Sequence, residues 1–450
     1  MRLLFMLLIG TLAASDILGT GMSLGPGLSV KNALLYPLAL GLLFRLAVKG
    51  GFRMRLPSLN AAFLVWVGYG TLTWIACSTM IHYPGYQPLA SAISLKAVLW
   101  DAALYFFVYF YGTDNEGDFF VLAKTLAFAV CIANIMTLLD LVGIVHLGIT
   151  IGEEGVEADR VFGVFGHAND TAALMDCLLP MIAVVAMSSR GAMKVFWYTG
   201  ILASVAVLML TVSRGAYVGI AVGYASAVWL CRRYLPASRV AAWVLIGASA
   251  VAVAVGVAAV LMPDFTQVLA ERLFNQSMAL SISVASSGRT TIWITALAAM
   301  MQHPITFLTG YGWDVYHLMF TLVTHNYYLD QWFGLGLPGL IAFLTIWYQA
   351  IATGRRAVDA ADERLRPYMI AFVFGILALS VCIFFINLDK PWSYVWIYIG
   401  FALRAASDAV EKKQAARART VLKPAGYSPA LQASAPRGRL TGELRRRSVP

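Results

Sequence analysis

Apolar runs of roughly twenty residues recur from one end of the chain to the other, with short polar stretches between them. A helix needs about that length to cross the hydrocarbon core of a membrane. Twelve runs predict twelve spanning helices, near 3–22, 33–48, 59–80, 94–112, 119–143, 170–188, 195–212, 215–231, 240–262, 328–351, 368–387 and 391–404. Residues 58–95 hold no Asp, Glu, Lys or Arg, and 195–213, 215–231 and 240–263 are equally free of charge. The expected fold class is an all-α polytopic membrane protein. Met1-Arg2 and the apolar stretch behind it read as the first span, because no small-residue cleavage site with a polar domain follows. Two connections are long. One covers 144–169; the other, 263–327, has room for helices of its own, and Thr290–Gln302 reads as a helix lying at the membrane interface.

Composition agrees with the pattern. Of 450 residues, 60% are apolar and 12% charged, too few charges to clothe the several soluble domains that so much apolar surface would need. The formal charge of +10 is mostly a tail: residues 406–450 carry ten Lys/Arg against three carboxylates, a net of +7. A nucleic-acid-reading surface is therefore excluded as the source of the basic balance. The chain divides into a membrane domain, 1–405, and a basic, disordered tail, 406–450. Cys77, Cys131, Cys177, Cys231 and Cys382 each lie inside an apolar run and read as small buried hydrophobes. Alternate connections hold the positive charge: Arg45, Lys49, Arg53 and Arg55; Arg190 and Lys194; Arg232, Arg233 and Arg239; Arg355, Arg356, Arg364 and Arg366; then the tail. By the positive-inside rule these are cytoplasmic, which places both termini there.

The other face holds the candidate chemistry. All six histidines, His82, His146, His167, His303, His317 and His325, fall on it, together with Arg160, Arg214 and Arg289. Histidine is also simply tolerated at interfaces, whereas arginines on the outer face run against the positive-inside rule and each needs a reason. Arg214, in Thr211-Val212-Ser213-Arg214-Gly215, sits between two apolar spans with almost no loop, where a charge costs a few kcal/mol unless it is paired or snorkels to water. Its guanidinium fork suits a phosphate. Arg289, after Gly288 at the start of the interfacial helix, brings free N–H groups and a positive dipole end that can hold an anion. His325, at the mouth of the tenth span, has an ordinary pKa near 6.5 and can take a proton from a hydroxyl, with Asn326 or Asp330 available to orient it. There is no P-loop, no Asp-x-Asp pair, and neither a metal site nor a cofactor is expected. Asp16, Asp101, Asp140 and Asp176, inside or at the edges of spans, keep a transporter open as the alternative class, although they share no spacing.

Four patches resemble the O-antigen ligase-like family, which includes O-antigen ligases and related polysaccharide polymerases. They are Arg160-Val161-Phe162-Gly163-Val164-Phe165-Gly166-His167-Ala168-Asn169; Ser213-Arg214-Gly215-Ala216; Gly288-Arg289 with Trp293, His303-Pro304 and Gly310-Tyr311-Gly312; and His325-Asn326 through Gly334-Leu335-Gly336 and Gly339. They cover roughly 160–340 in the family's order. The chain departs from the pattern at Trp332 and Phe333, where members often have an acidic residue, and at Ala168, where they often have proline. The resemblance implies a GT-C type plan of about twelve spans with one large periplasmic loop in a bacterial cell inner membrane. It also implies an inverting, metal-independent glycosyl transfer from an undecaprenyl-diphosphate-linked glycan donor. Carried over by motif, Arg214 and Arg289 bind the diphosphate, Arg160 is a third contact, and His325 is the base on the acceptor hydroxyl. The acceptor is lipid A-core for a ligase or another lipid-linked glycan for a polymerase; membrane lipid is the remaining partner, and a transporter of lipid-linked glycans is the rival class.

Overall fold

The computed structural model describes residues 1–19, 22–48, 54–148, 160–261, 265–271, 286, 288–388 and 391–421. Parts of the sequence reading, including Lys49, Arg53, residues 149–159 and the tail beyond 421, lie outside them. By contacts the chain forms two units, Met1–Val410 and Glu411–Pro450. The protein is an all-α polytopic membrane protein, apart from a two-stranded ribbon, β1 (Ser23–Gly25) and β2 (Leu28–Ser29).

Each of the twelve apolar runs is helical. In chain order they are α1 (Arg2–Ile17), α2 (Val30–Val48), α3 (Pro57–Thr79), α4 (Pro88–Gly112), α5 (Glu116–Leu141), α6 (Ala168–Met187), α7 (Gly191–Leu210), α8 (214–231) and α9 (Ala237–Leu261). The long connection then holds α10 (Phe265–Ala270), α11 (Arg289–Gln302), α12 (Pro304–Thr309) and α13 (Tyr316–Met319) before α14 (Tyr327–Ala360), α15 (Arg366–Cys382) and α16 (Trp392–Val421) close the fold. Eight of these helices, α2 to α7, α9 and α14, are long and apolar enough to cross a membrane. Among the described residues the other four helical runs fall short of that measure, which counts length and composition only. Boundaries move too. The first helix stops at Ile17, where Gly19 takes a positive φ. The eleventh stops at Cys382 instead of 387. The last continues to Val421, because the Ala-rich stretch 405–418 has strong helix propensity, so 406–421 is helix and not part of a disordered tail. The interfacial helix lies within one residue of its expected start.

The two ends of the bundle differ in chemistry. At one end Arg2 faces Asp118, Arg45 pairs with Asp114 at 2.7 Å, and Arg55 and Arg404 both pair with Asp408. These are the basic connections that the charge pattern assigns to one side. At the other end the long connection folds over the helix tips: Ser91 donates to Asp314 at 2.9 Å, and Tyr83 and Tyr86 donate to the carbonyls of Tyr311 and Trp313. The inner face of α11 buries Ala296 and Met300, while Ile294 and Met301 on α11 and Ile305 on α12 project outward.

Two glycine patterns set the packing. Gly215, Gly219 and Gly223 recur every four residues along α8 and let it lie directly on α15: a Cβ at Gly223 would overlap the backbone of Ala378, and one at Gly215 would press on Phe385. Where lipid is the solvent, small residues at that spacing give helices the close approach that dispersion needs. The second pattern repairs a break. At Gly336 (φ 58°, ψ −163°) α14 leaves helical geometry, just before Pro338. The freed carbonyls of Phe333 and Gly334 accept from the N–H groups of Tyr311 and Gly312 at 2.8 and 3.0 Å. Gly310 and Gly336 meet backbone to backbone, with no room for a Cβ on either.

The four acids inside or at the edges of spans have different hydrogen-bonding environments. Asp101 is held by Asn32, Tyr36 and Lys96; Asp16 accepts from Tyr394 at 2.6 Å; Asp140 accepts from the Leu147 N–H. Asp176 is fully buried against Gly219 with no nitrogen or oxygen partner. Asp16 and Asp101 both lie close enough to Tyr105 to act on it electrostatically. Replacing Gly223 by Ala is expected to destabilise the protein by about 1–3 kcal/mol, since backbone must move to accept the methyl; thermal unfolding in detergent micelles measures it, and an unchanged midpoint would refute the close α8–α15 contact.

Candidate functional site

The sequence-nominated residues come from three places far apart in the chain and meet at the end of the bundle away from the Arg45–Asp114 pair. Segment 160–167 turns twice through glycines of positive φ, Gly163 (70°) and Gly166 (106°), before α6 begins. It is tied to the end of α7, whose last carbonyls have no partner in the helix. The Val161 N–H donates to Leu210 O at 3.1 Å, and Arg160 Nε donates to Thr211 O at 2.7 Å. A second guanidinium nitrogen of Arg160 donates to Asn169 Oδ1 at 2.8 Å, which also accepts from the Ser213 hydroxyl at 2.9 Å. Arg160 is 3% exposed. Two of its donors are committed to the protein, and it fixes the start of α6 against the 211–214 turn.

Arg214 opens α8 directly after that turn, where Val212 is forced to φ 47°. A β-branched residue in the left-handed region stores strain, and such strain concentrates at functional sites. His325 has the same φ, 47°. Its neighbours hold it there: the Thr324 hydroxyl donates to Asn387 Oδ1 at 2.9 Å, Trp293 Nε1 donates to Thr324 O at 2.8 Å, and the Tyr327 N–H donates to Ile383 O at 2.9 Å. Trp293 lies one turn after Arg289 on α11, so the same contact that fixes His325 also seats the helix that starts at Arg289. Segment 383–388, which follows α15, is the common floor. It touches Gly215 beside Arg214, through Phe385, and it holds Thr324 and Tyr327 on either side of His325.

Asn326 does not orient the imidazole. Its side chain caps α14 by accepting the Leu329 N–H at 3.0 Å, and among the described residues neither it nor Asp330 hydrogen-bonds His325. The His325 pKa is lowered to about 4, first by burial and then by the positive charges of Arg289, His167 and Arg160. That ordering describes a largely buried imidazole beside several cationic groups, with Asp170, in the first turn of α6, as a buried carboxylate in the same region. An anion placed there gains charge-assisted hydrogen bonds, and a hydroxyl beside His325 can lose its proton to it.

Several members were not nominated from the sequence. His167 caps α6, its Nδ1 accepting the Asn169 N–H at 3.2 Å with Phe162 stacked on the ring, and of the six histidines it is the one that joins His325. The motif Gly-His-Ala-Asn ahead of an apolar run, a capping pattern, was the available signal. Asn169 and Ser213 lay inside quoted patches without a role. Asn387 fell in a stretch read as membrane span, and nothing in its neighbourhood marked it.

Residues 199–344, about a third of the chain, match the family model described as O-antigen ligase. The match contains Arg214, Arg289 and His325 and leaves out Arg160 and His167. A search of curated proteins gave no match.

A pH dependence follows from the His325 environment. With its pKa near 4 in the folded chain and about 6.5 unfolded, the unfolded state binds more protons between those values, so stability falls as pH is lowered from 6.5 towards 4. His325→Gln removes this term. The parent's thermal midpoint should fall relative to that of His325→Gln as pH is lowered from 6.5 towards 4, and parallel curves would contradict the assigned environment.

Proposed function

We propose that the protein is a membrane-embedded glycosyltransferase that moves a glycan from an undecaprenyl-diphosphate-linked donor to an acceptor hydroxyl, with inversion at the anomeric carbon, and that the acceptor is lipid A-core. The observation that carries this reading is the meeting of a neutral His325 with Arg289, Arg160 and His167 at one end of the bundle, with Arg214 opening a helix against the same floor. The acceptor O–H gives its proton to the imidazole, the oxygen attacks the anomeric carbon from the face opposite the diphosphate, and the bond to the diphosphate oxygen breaks. Negative charge then grows on the leaving group. Arg214 and Arg289, each at the first position of a helix, bind it with guanidinium forks backed by N-terminal dipoles. Arg160, enclosed and bonded to Thr211 and Asn169, adds its charge to the same field and positions the turn that presents Arg214.

The donor also tunes the base. Cations lower the His325 pKa, so a diphosphate that offsets them raises it again, and proton abstraction becomes favourable when the donor is seated. The polyprenyl tail lies in lipid beside the helices. In this reading the site faces the periplasm, both termini are cytoplasmic, the membrane is the bacterial inner membrane, and residues 1–405 form the working domain with a basic extension behind it. The gathering of Arg160, His167 and Arg289 around His325 at one end of the bundle favours an enzyme over a transporter.

Purified protein supplied with lipid-linked donor and lipid A-core should form the glycosidic bond with no membrane to cross. Arg214→Ala, Arg289→Ala and His325→Ala should each lower the rate by about 100- to 1,000-fold while expression and thermal midpoint stay near those of the parent. Variants within twofold of the parent rate would remove the assigned roles. In cells lacking the gene, bare lipid A-core with accumulated lipid-linked polymer identifies a ligase. Core capped with a single repeat unit identifies a polymerase instead.

A further inference from the structure

A second cluster of guanidinium groups lies at the far end of the helices that carry the site. α8 runs from Arg214 to a short turn at Arg232–Tyr234, and α14 runs from beside His325 to Arg355, Arg356 and Asp359. α15 runs the other way, from Arg366 to Cys382 beneath the site. The 18 residues of α8 correspond to about 27 Å at 1.5 Å per residue, close to the thickness of a hydrocarbon core, so the two clusters are separated by about that distance along the helix.

At that end Trp229, Leu230, Arg232, Arg233 and Arg355 line a cleft of about 250 Å³. The Arg232 guanidinium lies over the Trp229 ring, 5.2 Å from its centre. Asp359 is the neighbouring carboxylate, and both its oxygens are engaged: Oδ2 by Arg355 at 2.7 Å and Oδ1 by the Tyr234 hydroxyl at 2.8 Å. Arg366 stacks over Tyr234 at 5.0 Å and donates to the carbonyls of Val358 and Ala361. Among the described residues no carboxylate pairs with Arg232 or Arg233. The cleft therefore carries an excess of positive charge, with forks suited to phosphate oxygens.

The wall of the cleft identifies the source of the phosphate. Val218, Val222 and Trp229 are 39%, 49% and 63% exposed, and their spacing of four and seven residues puts them on one face of α8. This apolar stripe runs along the helix and ends at the cleft. Trp229 sits at its lower edge, the position where tryptophan marks the headgroup level. Basic pockets between helices on the positively charged side of a membrane protein are of the type that takes anionic lipid headgroups.

We infer that the Arg232–Arg233–Arg355 cleft binds the phosphodiester of an anionic phospholipid, with an acyl chain along the Val218–Val222–Trp229 stripe. The lipid clamps the charged end of α8 to that of α14, and these two helices carry Arg214 and His325 at their other ends. It is independent of the reaction assigned to that site.

Thermal unfolding in neutral detergent, with added phosphatidylglycerol, phosphatidylcholine or inorganic phosphate, tests the inference. Phosphatidylglycerol should raise the midpoint by several degrees over phosphatidylcholine, and Arg232→Gln with Arg233→Gln should abolish that difference. Lys194→Gln, at a basic connection outside the cleft, should keep it. Native mass spectrometry of the parent protein gives a readout that needs no variant: phosphatidylglycerol should be retained in preference to phosphatidylcholine. Equal effects of the two lipids, or a full shift in the double variant, would overturn the site. A shift reproduced by inorganic phosphate at the same concentration would overturn the lipid as its ligand.

Discussion

Inside a bilayer a backbone N–H or C=O without a partner costs several kcal/mol, because no water can replace what the helix gives up. Much of the irregular structure in this protein follows from that demand. The break in α14 at Gly336 is possible because Tyr311 and Gly312 return to bond the freed carbonyls. The open end of α7 is closed by Val161 and Arg160, and the start of α14 is secured on Ile383. Each repair draws a connecting segment onto a helix tip. The candidate site is what results when these segments are pulled together at one end of the bundle.

Close helix contact makes the same end rigid. Glycines at 215, 219 and 223 bring α8 onto α15, so the residue preceding that series, Arg214, is fixed relative to segment 383–388. Trp293 ties α11 to Thr324, and Thr324 is tied to Asn387. Arg289 and His325 thereby share one support. Strain at Val212 and His325 is sustained by this surround, which over-determines both positions.

Electrostatics divides the molecule in the other direction. One end joins helix ends through ion pairs such as Arg45–Asp114 and Arg55–Asp408. The other gathers Arg160, His167 and Arg289 around His325 closely enough to keep the imidazole uncharged. The first arrangement holds helix ends together. The second is suited to an anionic ligand, and the family match over 199–344 falls on the stretch that contains three of the four nominated residues.

Hydrophobic run length determined the helices: each of the twelve apolar runs became one, because a period-free apolar stretch in lipid has no other way to satisfy its backbone. Local residue type was enough to nominate Arg214, Arg289 and His325, since a charge or a histidine at the outer edge of an apolar span is costly without a reason. The sequence did not reveal that Arg160 would be spent on holding Thr211 and Asn169, that His167 would join His325, or that Asn387 would leave its span to support Thr324. The glycines of 310–312 and 334–336 were legible as a motif, yet their work, a backbone pairing across a broken helix, was not. Two of these pairings, His167 with His325 and Asn387 with Thr324, join residues more than sixty apart in the chain, and a partner at that distance is set by how helices pack. Tertiary structure alone decides them, because the hydrogen bonds and close contacts involved exist only once the helix tips have met.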